Sequence, residues 1–123
     1  MIGSNSKIIK HSASEYIILN ELNYREKKIK ETKHYKDNEK MYNALFNSYR
    51  NISNKEQIET IERAMLSLMA NLQKRKSELQ MKNRDEYNLV LNRFEPALKE
   101  YFNLIIRYMN SKVSDYKTHL VFK

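Results

Sequence analysis

Three stretches of the chain carry apolar residues at the three- and four-residue steps that place side chains on one face of a helix. The clearest spans about residues 54–82, where Ile58, Ile61, Met65, Leu68, Leu72 and Leu79 keep a coiled-coil spacing broken only at Arg75. Leu66 and Met69 are expected to widen that stripe, as a helix inside a bundle requires. A second stretch, about residues 84–118, repeats the pattern with aromatics: Tyr87, Leu91, Phe94, Leu98, Tyr101, Ile105 and Tyr108. Val90, Ala97, Phe102 and Leu104 flank it, and Pro96 sits inside it. Proline has no N–H to donate and crowds the preceding turn, so a kink is expected there, with the apolar phase continuing across it.

The remaining stretch, about residues 13–51, is apolar at its ends and polar in its middle. Tyr16, Ile17, Ile18, Leu19 and Leu22 open it; Met41, Tyr42, Leu45, Phe46 and Tyr49 close it. Between Arg25 and Lys40 only Ile29 and Tyr35 are apolar. One long helix with an exposed middle is the favoured reading, because no Gly or Pro marks a turn. A break near Asp37 and Asn38 is the alternative, since both side chains compete for backbone bonds.

Start signals agree with this division. Ser12-Ala13-Ser14-Glu15, Ser53-Asn54-Lys55-Glu56 and Asn83-Arg84-Asp85-Glu86 each place a short polar side chain three residues before a glutamate, at the head of a periodic stretch. The expected fold is all-α: an elongated antiparallel three-helix bundle with coiled-coil-like packing, or four helices if the first breaks near Asp37. Residues 1–12 read as a flexible arm and residues 13–123 as one helical domain.

Composition narrows the alternatives. The 123 residues contain a single Gly and a single Pro, too few for the turns of a β-sandwich or a phosphate-cradling loop. Cysteine is absent, which removes disulfides and thiolate chemistry. No apolar run approaches the 18 to 20 residues, roughly, that cross a bilayer, so a cytoplasmic chain without membrane partners is expected, with export by a signal-less route as the alternative.

The net charge of +8 has two readings. One is a polyanionic partner. The other is the Lys-, Asn-, Ile- and Tyr-rich bias of an A+T-rich genome. Candidate polyanion contacts are Arg25, Lys27, Lys28, Lys30, Lys33 and Lys36, with Lys74, Arg75 and Lys76 at the end of the second helix. The acids Glu26, Glu31, Asp37 and Glu39 partly offset the first group.

Catalytic chemistry finds little support. His11, His34 and His119 lie on different segments and read as surface residues; no His–Glu or Cys spacing suits a metal. Glu56, Glu59 and Glu62, and Glu95 with Glu100, read as solvated faces. No enzyme activity, cofactor, metal or small-molecule substrate is expected. Of the nine tyrosines, those at seven-residue steps on the stripes (Tyr42 and Tyr49, and Tyr87, Tyr101 and Tyr108) read as core residues with hydroxyls at the rim, Tyr35 excepted, because it lies among charged neighbours. The expected function is a non-enzymatic protein–protein interaction module: an adaptor, regulator or chaperone-like factor, as a homo-oligomer or with a protein partner. Tyr42, Leu45, Phe46 and Tyr49 are its expected partner surface. Weakly sequence-specific nucleic-acid binding is the alternative.

Overall fold

The computed structural model describes residues 13–123, apart from the side chain of Ser14. The expected arm at residues 1–12, including Ser12 and His11, lies outside the described residues. Every regular element among the described residues is helical. In order they are α1 (Ala13–Lys30), α2 (Lys33–Asp37), α3 (Glu39–Tyr49), α4 (Lys55–Lys82), α5 (Arg84–Leu89), a π-helical turn (Val90–Phe94) and α6 (Glu95–Lys112).

The first stretch is not one long helix. It breaks twice, each time at a residue whose side chain offers the backbone a local partner. Thr32 accepts from the Tyr35 N–H (3.2 Å) and donates to the Ile29 carbonyl (2.7 Å), which ends α1 and caps α2. Asn38 closes α2 by donating its side-chain amide to the His34 carbonyl at 2.9 Å. The chain then doubles back: Arg50, just past α3, bonds Glu26 (2.8 Å) and Asn23 (2.6 Å) on α1. Among the described residues four helical runs result where three were favoured, each antiparallel to the next. Asn38 meets Asn71 where α3 meets α4, and Lys76 meets Glu95 where α4 meets α6. Arg25–Glu100 and Glu15–Lys112 pair α1 antiparallel to α6 and close the ring.

The doubling back also explains Tyr35. The break at Thr32 turns α2 so that His34 and Tyr35 face inward, and the Tyr35 hydroxyl donates to Asn43 (2.8 Å). Both were expected at the surface, and both are buried.

In α4 the six stripe residues are its buried residues, and each such side chain stabilises the fold by about 2 kcal/mol. Leu66, expected to widen the stripe, is exposed. The helix begins one residue later than its start signal: Asn54 is the cap, accepting from the Gln57 N–H, and Gln57 reaches back to the Asn54 N–H. Asn83 caps α5 through the Glu86 N–H, as its signal indicated. Tyrosine rings then fill the centre. Tyr49 meets Tyr101 and Tyr108 edge-on, and the buried Tyr101 hydroxyl donates to that of Tyr49 at 3.2 Å.

Pro96 sits in the first turn of α6, directly after the π-helical turn. An α-helical turn there would press the proline ring against the Asn92 carbonyl; a wider turn relieves that contact. The Glu95 N–H bonds the Val90 carbonyl, five residues back. The extra residue shifts the apolar phase that the sequence carried across Pro96 unchanged. Leu91 leaves the inward stripe and is 37% exposed, while Val90 and Phe94 pack against the core.

Candidate functional site

The π-helical turn forms one wall of a groove of about 480 Å³, and the second half of α1 forms the other. Tyr24, Ile29 and Thr32 line the α1 side; Leu89, Phe94 and Ala97 line the opposite side. Its surface is mostly apolar, and two of its largest apolar side chains stand open: Tyr24 is 58% exposed and Leu89 57%. Neither lies on a buried stripe. Arg25, Lys28 and Arg93 border the groove.

These cations differ in what holds them. Arg25 lies 2.9 Å from Glu21 and 2.8 Å from Glu100, so its charge is committed. The Lys28 ammonium lies over the Tyr24 ring, 5.6 Å from its centre, and has no carboxylate partner among the described residues. Arg93 is exposed and likewise unpaired among them. An apolar trough with two uncommitted cations suits a ligand that is apolar on one side and anionic beside it.

Behind this groove a second cavity of about 310 Å³ shares Thr32, Leu89 and Phe94 with it and reaches His34. The imidazole lies edge-on to Tyr42 and Phe94, with ring centres 5.6 and 5.2 Å away. Its Nδ1 stands 3.3 Å from the Asn38 amide nitrogen, which places the neutral ring's proton on Nε2. Nε2 is buried without a hydrogen-bond partner, as is the Tyr42 hydroxyl. Burial lowers the His34 pKa; Asp37 opposes that shift and Arg75 adds to it.

The partner surface expected from sequence is not a surface. Tyr42, Leu45, Phe46 and Tyr49 are all buried in the core, because α3 turns their stripe towards α4 and α6. The expected polyanion contacts divide. Lys30 lies 3.7 Å from Glu26, Arg75 3.5 Å from Glu86 and Lys76 2.7 Å from Glu95. Lys27, Lys33, Lys36 and Lys74 are exposed, and no ion pair holds them among the described residues.

Three carboxylates read as solvated are instead engaged, Glu100 by Arg25 as above. Glu95 is buried and bonded by Lys76, Gln73 (2.8 Å) and Lys99 (3.2 Å). Burial alone would raise its pKa, but these three donors outweigh it and hold the carboxyl below its usual range. Glu62 accepts from the Thr118 hydroxyl. Among the described residues, no cluster of His, Cys, Asp or Glu could hold a metal ion, and no helix is long and apolar enough to cross a membrane.

No family model, curated protein or solved structure matches the chain. The groove's own chemistry therefore carries the functional reading.

Proposed function

We propose that the chain is a non-enzymatic helical interaction module that docks an amphipathic, acidic helix of a partner protein in the groove between α1 and the π-helical turn. The observation that carries this reading is the pairing of exposed Tyr24 and Leu89 with the uncommitted cations Lys28 and Arg93. A helix laid there would set apolar side chains at i, i+3 or i+4 and i+7 into the trough and carboxylates against its rim. Nucleic-acid binding is the weaker reading, since ion pairs hold four of the nine cations that it would use.

The test is fluorescence titration with a labelled helical peptide carrying leucines at that spacing and flanking glutamates, beside labelled single-stranded and duplex oligonucleotides. Saturable peptide binding that falls at least tenfold in Leu89→Asp, and again in Lys28→Glu with Arg93→Glu, supports the docking groove. Circular dichroism should be unchanged in these variants. Oligonucleotide binding that outlasts Leu89→Asp but is lost when Lys27, Lys28, Lys30 and Lys33 all become Glu would replace it with the nucleic-acid reading. Light scattering run alongside separates a partner site from a homodimer face, since a dimer made through the groove would dissociate in Leu89→Asp.

A further inference from the structure

Past α6 the chain turns at Ser114 and Asp115 and runs back along the helix as an extended segment. Its side chains alternate. Thr118 and Phe122 are buried, with Tyr116 and Leu120 partly so, while Lys117, His119, Val121 and Lys123 face solvent. Two asparagines of α6, seven residues apart, hold its backbone. The Asn110 side chain accepts from the Thr118 N–H (2.9 Å) and donates to the Thr118 carbonyl (3.1 Å). Asn103 does the same for Phe122, at 2.9 and 2.8 Å.

Each side-chain amide thus acts as one rung of a β-ladder, offering a donor and an acceptor to a single residue. The spacing is geometrically matched. Seven residues of helix rise about 10.5 Å, and four residues of a strand advance about 13 Å, a span that a slightly inclined segment covers. Because four is even, the two clamped residues point the same way, into the helices. There the Thr118 hydroxyl donates to Glu62 on α4, and the Phe122 ring meets Phe102 edge-on at 5.2 Å.

We infer that this α4–α6 face is a receptor for extended peptides, which the chain fills with its own residues 116–122. Its ligand is a partner segment with a hydroxyl residue four positions before an aromatic one. The four amide bonds are made to main chain, so any extended backbone satisfies them; specificity comes from Glu62 and the Phe102 pocket. The covalent link gives the chain's own segment a high effective concentration, so a partner gains access when that segment is weakened or released at Ser114 and Asp115. The face shares no residue with the α1 groove, so this inference stands independently of the docking reading above.

The test uses the 123-residue chain and a fluorescein-labelled peptide with the sequence of residues 114–123. Wild type should bind it weakly. The Thr118→Ala, Phe122→Ala variant, whose own segment is loosened, should bind at least tenfold more tightly. Adding Asn103→Ala and Asn110→Ala to that background should abolish binding. A loosened variant that stays helical and takes up no peptide would overturn the inference, as would binding unaffected by loss of both asparagines. Amide exchange on wild type gives a second reading that no substitution can confound. The Thr118 and Phe122 amides should exchange at least tenfold faster than those of Ile105 and Met109; equal protection would make the segment a fixed part of the core and sink the receptor.

Discussion

His34 is a buried imidazole kept neutral by its surroundings, and the sign of its effect on stability follows. Its folded pKa lies below the ordinary value of about 6.5, so the unfolded chain takes up the proton first as pH falls. Stability should therefore be undiminished above about pH 6.5 and decline below it, with a slope of at most about 1.4 kcal/mol per pH unit. In His34→Leu that slope should vanish from urea melts between pH 7 and 5.5, above the range where carboxylates titrate. A slope retained by the variant would assign the acid sensitivity elsewhere. Tyrosine behaves in the opposite direction. Burial pushes Tyr49 up to about 12 and raises Tyr42 and Tyr101 as well, so the unfolded chain loses these protons first. Stability should fall as pH rises above about 10, and the buried phenols should ionise only as the chain unfolds, seen as one cooperative rise at 295 nm. Tyr101→Phe leaves the Tyr49 hydroxyl without its donor and should cost about 1 kcal/mol.

At the scale of elements, the sequence was most legible where one helix buries one stripe. All six stripe residues predicted for α4 are buried, because no competing local bond interrupts 28 residues. It was least legible where a side chain diverts the backbone. Thr32 carries the sequence mark of a cap, a short hydroxyl residue before a helical turn, but nothing in the polar run from Arg25 to Lys40 shows that a cap there outweighs helix continuation. That outcome depends on Tyr35 and His34 finding burial against Phe46 and Phe94, which is tertiary information. The same holds for the groove. Its apolar residues Tyr24 and Leu89 are recognisable only as residues off the buried phase, and the extra residue of the π-helical turn, which the periodicity hid, helps set Leu89 and Phe94 in the wall. Thr32→Ala removes both of its bonds to the α1–α2 junction and should lower stability by about 1 kcal/mol. Peptide affinity at the groove should fall with it, since Thr32 lines the α1 wall and its bonds fix where α1 ends. Loss of stability with full groove affinity would show that the junction and the groove are independent.

Across the whole molecule, one buried charge ties the long helix α4 to α6 just after the π-helical turn. Glu95 receives Lys76 and Gln73 from α4 and Lys99 from its own helix. Removing two charges from water costs several kcal/mol, and the attraction between them returns that cost only with good geometry, so the pair need not stabilise the fold on balance. Removing one partner is different, because it strands the other. Lys76→Met leaves the Glu95 carboxylate with Lys99 and Gln73 alone and should cost about 2 kcal/mol in urea melts at pH 7, less than a buried charge left with no partner. Glu95→Gln in the same chain should recover most of that loss, since a neutral amide can still accept from Gln73 and Lys99. The carboxyl's depressed pKa adds a pH signature. Its stabilising effect is present above the unfolded value of about 4.3 and fades as pH falls through the lower folded value, so the wild type should lose stability there. The double variant should lose less over the same window. If Lys76→Met and the double variant are equally destabilised, the lysine stem rather than its charge joins the helices. The pair's role would then be packing, and the acid limb of wild type should persist in the double variant unchanged.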